Sequence, residues 1–336
     1  MIGYYVHHHG SGHLNRAISI CARLRHPVVA LTSLDIPRPH PFDTVLALPR
    51  DDAGARPAEP SANGVLHWAP LHDDGLATRM ALIAQWIEQA RPAAVVVDVS
   101  VEVALFVRLL GVPVIVMAMP GERTDAPHVL VHQLADRIVA TWPRDIYEPE
   151  WLRVHADKTS YVGGISRFED RAVPHPTAGR APTVLVLTGT GGCDFYQATV
   201  DATAAHTPEI TWTTLGLRSG PRTSDPWPDI CAADVVITHA GQNCVADVAT
   251  ARRPAIVLPQ SRPFDEQHVT AETLRSHGLA AVIRGWPDPS AWRCLIRHAQ
   301  ASDPNIWERW RTSGAAARAA EVIEATAQRY VEAGAR

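Results

Sequence analysis

The stretch Ala233-Asp-Val-Val-Ile-Thr-His-Ala-Gly-Gln-Asn-Cys-Val-Ala-Asp247 decides the fold. An apolar run ends at Thr238, a short turn contains Gly241, and a helical pattern follows. A continuous apolar run is typical of a strand buried on both faces of a parallel sheet. The unpaired backbone N–H groups and the positive dipole end of the following helix favour an anion. The stretch therefore predicts a strand–turn–helix unit that binds an anionic ligand at its tip.

The same alternation of strand and helix recurs along the whole chain. The predicted strands are Ile2–Val6, Pro27–Thr32, Ala93–Asp98, Val112–Met117, Thr183–Leu187, Ile210–Leu215, Asp234–Thr238, Ala255–Leu258 and Ala280–Ile283. Helical patterns follow several of them, as in His13–Leu24 and Val101–Leu110. Repeated βαβ units give a parallel sheet with helices on both faces. The pattern predicts an α/β protein with two Rossmann-like, doubly wound domains that face a cleft.

Shifts in composition predict where these domains begin and end. Residues 1–163 form the first domain, and the Gly-, Pro- and Arg-rich residues 164–182 form a linker. Residues 183–304 form the second domain, and residues 305–336 form a C-terminal helix that packs back on the first. Between Leu48 and Asp74 the periodicity fails, which predicts an irregular loop region that shapes the acceptor site.

Composition excludes several functional classes. The 336 residues are 46% hydrophobic and 20% charged, which is typical of a globular protein. The net charge of −4 argues against a nucleic-acid partner. Lys158 is the only lysine, so the chain has no Gly-Lys-Ser/Thr step of a P-loop.

Cysteine usage and hydropathy predict a cytoplasmic protein. The 5 cysteines are dispersed and form no CxxC pair, which is typical of reduced thiols. No charged segment followed by an apolar stretch opens the chain, so no signal peptide is expected. The longest apolar region, Ala93 to Met119, is interrupted by charged residues and is not expected to span a membrane.

Polar residues after two strands of the second half suggest a nucleotide-sugar site. Asn243 and Asp247 are four apart and share a helix face, about 6 Å apart along the axis. A diphosphate could lie at the helix tip and a ribose one turn further on, at Asp247. After the next strand, Asp265 and Gln267 supply the oxygens and amide that a hexose needs.

The segment from about 234 to 283 resembles the donor-binding region of GT-B glycosyltransferases, most closely glycosyltransferase family 28. The resemblance implies that the diphosphate is held by His239, Gly241, Gln242 and Asn243. It also implies that Asp247, where the family usually has Glu, holds the ribose and that Asp265 with Gln267 holds the sugar. The loop 188–192 resembles the family's Gly-rich loop over the diphosphate, with Thr190 and Gly191 as contacts.

The turn His9-Gly-Ser-Gly-His-Leu-Asn-Arg16 resembles the family's N-terminal Gly-x-Gly-His-x-x-Arg turn. Gly12 permits close backbone approach to the donor. The helix N-terminus disfavours a charged imidazolium, so His13 is expected to be neutral and to act as the general base. Asp98 ends a buried strand at the same sheet edge. It either orients His13, contacts the acceptor, or only caps the next helix.

A metal or cofactor is not expected. The run His7-His8-His9 invites a zinc site, but successive strand residues point to opposite faces, so the three rings are not expected to converge. The chain has no Asp-x-Asp sequence. The helix dipole at Gly241 is expected to stabilise the leaving diphosphate in place of a metal.

These features together favour an inverting, metal-independent hexosyltransferase in which His13 takes the acceptor proton. The resemblance implies a UDP-sugar donor, whereas the acceptor is unidentified and is either a small molecule or lipid-linked. Peripheral contact with a membrane stays open. Two alternatives also stay open: a UDP-sugar 2-epimerase, which turns over donor without acceptor, and a non-catalytic nucleotide-sugar binder, which binds without turnover.

Overall fold

The computed structural model describes residues 1–52, 57–174, 180–189, 195–218 and 220–334, which contain two all-parallel sheets. The strands of the first are β1 (Ile2–Val6), β2 (Val28–Thr32), β3 (Thr44–Ala47), β4 (Ala94–Asp98), β5 (Val114–Ala118), β6 (Arg137–Ala140) and β7 (Thr159–Tyr161). The strands of the second are β8 (Thr183–Leu187), β9 (Thr211–Leu215), β10 (Val235–Thr238), β11 (Ala255–Val257) and β12 (Ala281–Val282).

Helices connect the strands. They are α1 (Gly12–Cys21), α2 (Asp74–Ala90), α3 (Val101–Leu109), α4 (Ala126–Leu134), α5 (Glu150–Arg153), α6 (Gln197–His206), α7 (Trp227–Ala232), α8 (Gln242–Thr250), α9 (Glu266–Ser276), α10 (Trp292–Gln300) and α11 (Ala315–Gly334). No helix in the described part of the chain is long and apolar enough to cross a membrane.

The order of the strands places a crevice in each sheet. The first sheet runs β3-β2-β1-β4-β5-β6-β7 and the second runs β12-β11-β10-β8-β9. In the first sheet the chain continues from β1 toward one edge and from β4 toward the other, and in the second sheet it does the same from β8 and β10. Ligands bind in the crevice at the carboxyl ends of such strand pairs. Val6 pairs with Asp98, and Thr238 pairs with Leu187, at these two positions. The predicted fold of two Rossmann-like domains is confirmed.

The central strands form because their sequences are apolar without interruption. All five residues of β1 and of β4 are buried, and β8 and β10 are buried apart from Thr183. Helices cover both faces of each sheet, so neither face needs polar residues. The site-bearing ends of these strands are thereby fixed on a rigid core.

The C-terminal segment differs from the predicted continuous helix. A 3-10 helix spans Pro304–Trp310, Arg311 takes a left-handed φ of 54°, and α11 begins only at Ala315. The left-handed residue ends the first helical segment and redirects the chain. From there α11 packs on α1, β4 and β6 of the first sheet. Its buried face consists mainly of alanines, together with Ile323.

The first half of the predicted linker is packed. Ile165 and Phe168 are each 5% exposed, and Gly164 N donates to Trp310 O over 3.0 Å. A Cβ atom on Gly164 would lie 2.3 Å from Trp310 Nε1, so only glycine allows the backbone at this position to lie so close to the Trp310 ring. This segment carries side chains into the site described below.

Candidate active site

A cavity of about 440 Å³ lies between the two domains. Both domains contribute to its wall, at the carboxyl ends of their central strands. Eight of the residues expected from the sequence line it: Gly12, His13, His239, Gly241, Gln242, Asn243, Asp247 and Gln267. Thr190 and Gly191 lie outside the described residues, although Thr188 and Gly189 just before them line the cavity.

His13 and Asp98 form a hydrogen-bonded pair at the first-domain side of the cavity. Helix α1 begins at Gly12, which places His13 in its first turn, and Asp98 is the last residue of β4. His13 Nδ1 lies 2.8 Å from Asp98 Oδ1. Because a carboxylate can only accept, we assign the ring proton to Nδ1. The basic atom is then Nε2, on the far side of the ring from Asp98.

Arg16, one turn further along α1, fixes the same carboxylate. Its Nε donates to Asp98 Oδ2 over 2.8 Å, and its Nη2 donates to Oδ1 over 2.5 Å. Arg16 is 3% exposed and Asp98 is fully buried. Nη2 also lies 3.2 Å from His13 Nδ1, a close approach of two N–H groups that share one acceptor oxygen. These two hydrogen bonds from Arg16 fix the orientation of the Asp98 carboxylate.

The electrostatics of this cluster keep Asp98 ionised. Burial by itself raises the pKa of Asp98, but Arg16 and His13 outweigh it and hold that pKa well below its usual range. The helix-cap alternative for Asp98 does not hold, because Ser100 caps α3 by accepting from Val103 N over 3.1 Å. Val99, which lies between Asp98 and Ser100, takes a φ of 65°, a strained conformation for a β-branched residue.

Helix α8 presents its N-terminus to the cavity. Gly241 is the N-cap residue and makes no side-chain cap, and a Cβ atom built on it would meet no heavy atom within 4 Å. Gly241 and the first three residues of α8 line the cavity, so the unpaired backbone N–H groups of this helix start lie at its wall. This is the arrangement that binds a phosphate group.

The side chains at the start of α8 bind the first domain. Gln242 Oε1 accepts from Arg16 Nη1 over 2.8 Å, and Gln242 Nε2 donates to Thr141 Oγ1 over 3.0 Å. Asn243 Nδ2 donates to Gly12 O over 2.9 Å. These three bonds join the domains across the cavity. Because these side chains are engaged with the first domain, the backbone N–H groups at the start of α8 are the groups available to an anion in the cavity.

Asp247 is buried one turn further along α8. Its Oδ1 accepts from Ser166 Oγ over 2.7 Å, and its Oδ2 lies 3.5 Å from Arg167 Nε. Burial raises the pKa of Asp247 to about 6, because Arg167 and Ser166 offset only part of the desolvation. Ser166 and Arg167 belong to the predicted linker and were not expected in the site.

His239 follows β10 and is 4% exposed. Its Nδ1 lies 2.8 Å from Leu258 O, and because a carbonyl oxygen only accepts, Nδ1 carries a proton. The ring also packs against Phe195, with ring centroids 5.4 Å apart. The loop after β10 is thereby tied to the loop after β11.

The loop before α9 turns Glu266, rather than Asp265, toward the cavity. Phe264 and Asp265 take left-handed φ values of 60° and 55°, and the Asp265 side chain, 55% exposed, accepts from His268 Nδ1 over 2.8 Å. Glu266 lines the cavity 3.5 Å from Arg123, and burial raises its pKa. Gln267 Oε1 accepts from Gln260 N over 3.0 Å.

The cavity is electrostatically suited to an anion. Four arginines line it: Arg16, Arg167, Arg222 and Arg262. Two carboxylates, Asp247 and Glu266, stand among them. Cations with a helix N-terminus favour a diphosphate, and the carboxylates can accept from hydroxyl groups.

A second cavity, of about 490 Å³, lies mainly within the first domain. Six histidines line it together with apolar side chains: His7, His8, His9, His67, His128 and His132. Burial lowers the pKa of His7 and of His132 to about 3, so both rings are neutral at pH 7. His9 and Met119 line both cavities, which places the second beside the first.

The histidine run does not follow strand geometry. Strand β1 ends at Val6, so His7, His8 and His9 lie in the turn after it. Ring centroids are 4.7 Å apart for His7 and His8, 4.9 Å for His7 and His9, and 4.4 Å for His8 and His9. The expectation that the rings diverge is wrong, because alternation applies only within an extended strand.

Two Rossmann-like domains around such a cleft define the GT-B class of fold. Within it, residues 224–285 match the family model described as the glycosyltransferase family 28 C-terminal domain. This match includes α8 and the loop before α9. The predicted resemblance to family 28 is thereby confirmed.

A curated protein of known name is also similar to part of this chain. A curated relative from Rubrobacter xylanophilus, UDP-N-acetylglucosamine–N-acetylmuramyl-(pentapeptide) pyrophosphoryl-undecaprenol N-acetylglucosamine transferase, is 32% identical over 30% of this chain and 35% of the relative. The match thus spans about a third of that relative's length.

Two solved structures are similar over nearly the whole chain. UGT2 from Phytolacca americana, complexed with UDP-2fluoro-glucose and pterostilbene, has a TM-score of 0.69 at 15% identity and covers 98% of this chain and 99% of its own. MurG from Acinetobacter baumannii has a TM-score of 0.60 at 16% identity and covers 96% and 98%. At these identities the likeness shows the fold.

Proposed function

We propose that the protein transfers a hexosyl group from a UDP-sugar to an acceptor hydroxyl, inverting the anomeric carbon, without a metal ion at the diphosphate. The observation that carries the proposal is that His13, hydrogen-bonded to buried Asp98, and the N-terminus of α8 face one cavity between two GT-B domains. A base and an anion site in one cavity are what such a displacement needs.

The donor is bound by the second domain in this proposal. Backbone N–H groups at the start of α8 hold the diphosphate, and Asp247 accepts from the ribose hydroxyls. Glu266 and Gln267 line the cavity where the sugar extends, whereas Asp265 is 55% exposed outside that lining. The UDP moiety is supported by the curated relative, named for a UDP-N-acetylglucosamine substrate, and by the UDP-sugar in the UGT2 structure.

The acceptor enters from the first domain. Its hydroxyl loses its proton to His13 Nε2 as the oxygen attacks the anomeric carbon, and the bond to the diphosphate breaks on the opposite face. Ionised Asp98 stabilises the imidazolium that forms, as a buried carboxylate does in a hydrolase triad. The cavity of about 490 Å³ accommodates the rest of a small-molecule or lipid-linked acceptor.

The leaving diphosphate is stabilised by the chain itself. The helix dipole of α8 and the four arginines that line the cavity place positive charge where negative charge develops. The bonds from Arg16 to Gln242 and from Asn243 to Gly12 hold the domains together, which excludes water from the donor.

The test is donor turnover in EDTA, measured as UDP released from UDP-glucose and UDP-N-acetylglucosamine with a panel of hydroxyl acceptors. We expect His13→Ala to lower turnover by about 10²- to 10⁴-fold with nearly unchanged UDP affinity. His206→Ala, an exposed histidine on α6, is the matched control and should behave as wild type. Equal turnover in His13→Ala and wild type would contradict the assignment of the base.

A further inference from the structure

His8 stands out in the second cavity as a buried polar side chain without a hydrogen bond. Its side chain is 1% exposed, Nδ1 has no hydrogen-bond partner among the described residues, and Asp52, which lies close enough to Nε2 to accept, is not placed with hydrogen-bond geometry. Burying a polar group without a partner costs about 1–3 kcal/mol, so such a group in a native protein calls for an explanation. An ion bound to the ring is one such explanation.

The atoms around His8 Nε2 are of the kinds that bind metal ions. Asp52 Oδ2 lies 3.2 Å from His8 Nε2 without hydrogen-bond geometry, and 3.0 Å from His9 Nε2. All three ligand atoms lie within 4.8 Å of one another. Zinc binds imidazole nitrogen and carboxylate oxygen at about 2.0–2.2 Å, which places neighbouring ligands of a tetrahedral site about 3.3 Å apart. The observed separations from Asp52 are close to that value.

We propose that His8, His9 and Asp52 bind a divalent metal ion of the zinc class, a site separate from the donor diphosphate. Two imidazoles and one carboxylate are a donor set that suits zinc. Three protein ligands leave a fourth position for an oxygen from the cavity. His9 lines both cavities, so the ion stands where the acceptor cavity meets the donor cleft.

Neighbouring charges define the ligand set. Arg50 donates to both oxygens of Asp52, at 2.8 Å and 2.7 Å, and its side chain is 52% exposed. Arg50 can keep its hydrogen bond to Asp52 Oδ1 while Oδ2 binds the ion. It then orients the carboxylate, as a hydrogen-bond partner behind a metal ligand commonly does. Asp51 pairs with Arg79 over 3.2 Å and stays outside the ligand set.

A second cluster in the same cavity provides an internal comparison. His67 Nε2 lies 2.6 Å from Asp125 Oδ2, and His128 Nδ1 bonds the other oxygen of Asp125. Arg123 Nη1 lies 3.2 Å from His128 Nε2. Both rings of this cluster are hydrogen-bonded, whereas at Asp52 only His9 is, through Nε2 at 3.0 Å, and His8 makes no hydrogen bond of good geometry. Arg123 lies against an imidazole nitrogen that a metal ion would need, whereas Arg50 contacts the carboxylate of Asp52. The cluster at His8 is therefore the metal site, and the cluster at Asp125 is the control.

The test is calorimetric titration of tag-free, EDTA-treated protein with Zn²⁺, with the visible absorption of Co²⁺ as a second readout. We expect one equivalent to bind, and His9→Ala and Asp52→Asn each to weaken binding at least about tenfold. His9 is 65% exposed, so its replacement leaves the core intact, and melting in EDTA verifies the fold of each variant. Asp125→Asn should bind as wild type does.

Two outcomes overturn the proposal. One is wild-type protein that binds no Zn²⁺ and gives no Co²⁺ absorption. The other is binding that is lost in Asp125→Asn but kept in His9→Ala and Asp52→Asn. Neither measurement uses a donor or an acceptor, so their failure is distinct from a failure of the proposed transferase activity.

Discussion

The guanidinium of Arg16 in the first domain donates to the amide oxygen of Gln242 in the second, over 2.8 Å. The same guanidinium holds both oxygens of Asp98, which positions His13. One side chain thus connects Gln242, the first residue of α8, to the pair for which we propose proton transfer. The hydrogen bonds that orient His13 are thereby linked to a contact between the two domains.

We expect Gln242→Ala to lower turnover by about tenfold while UDP affinity changes little, because misplacement of a reacting group costs rate more than binding. Thr141→Val is the matched control, since it removes the other hydrogen bond of Gln242 and leaves the bond to Arg16. Steady-state kinetics on both variants measure the difference. Equal losses in the two variants would show that the Arg16 bond has no special role.

Asp98→Asn should lower turnover by about 10²- to 10⁴-fold, because an amide cannot hold His13 in one tautomer or stabilise its imidazolium. It should also destabilise the fold by about 3–5 kcal/mol, since Arg16 is left as a buried, unpaired charge. Ser100→Ala serves as the control two residues away. It removes the cap of α3 and costs about 1 kcal/mol, and it should lower turnover far less than Asp98→Asn does, although Ser100 lines the cavity proposed for the acceptor.

Donor affinity should fall as the pH drops through about 6, where burial places the pKa of Asp247. A protonated carboxyl accepts hydroxyl hydrogen bonds less well than a carboxylate. Titrations with UDP between pH 5 and 8 check this, and Asp247→Asn should bind weakly with a flat profile across the same interval. A wild-type profile as flat as that of the variant would contradict the ribose assignment.

Asp247 should also change how the free energy of unfolding depends on pH, with a sign opposite to that of a carboxylate whose pKa folding lowers. The folded pKa of Asp247 lies above the unfolded value of 3.8, so the folded state binds the extra proton between these two pKa values. Lowering the pH from about 6 toward 4 therefore favours folding through Asp247, and Asp247→Asn should lack this contribution. Denaturant titrations of both proteins over this pH interval measure it.

Glu324 on α11 should stabilise the docking of the C-terminal helix at neutral pH. The hydrogen bonds from Arg25 are the main cause that lowers the pKa of Glu324 to about 2. This contribution is complete above pH 4.5 and is lost as the pH falls toward 2. Glu324→Gln should lower Tm by about 2 °C at pH 7 and not at all near pH 2. Glu321→Gln, an exposed neighbour on α11, should leave Tm unchanged at both values.

The buried strands could be predicted from the sequence because burial on both faces requires uninterrupted apolar residues. β4 and β10 are of this kind, and their ends carry Asp98 and His239. β3 and β7 have no fully buried residue, and a short polar or mixed segment carries little signal. The irregular region was recognised by its composition, although an antiparallel bridge joins Ala58 to Leu71 within it.

Residues that line the cavity could be predicted where one element supplies both the side chain and its position, as α8 does with Asp247. Arg16 was missed as a site residue because its role depends on two partners, Asp98 and Gln242, that are distant in sequence. The sequence predicts Asp265 at the cavity, whereas Glu266 lies there, because the left-handed conformations of Phe264 and Asp265 turn the following side chain toward it. The rings of His7, His8 and His9 converge because β1 ends at Val6 and the three residues lie in the turn after it. The sequence does not predict this, because periodicity defines the ends of strands poorly.

The central claim is that the second domain binds a nucleotide diphosphate at α8 without a metal ion. The most direct measurement is calorimetric titration with UDP, GDP and TDP in EDTA, for wild type and Asp247→Ala. Micromolar binding of UDP in preference to the other two, lost in the variant, is the predicted result. Absence of binding by all three nucleotides, or UDP affinity unchanged in Asp247→Ala, would contradict the donor site described here.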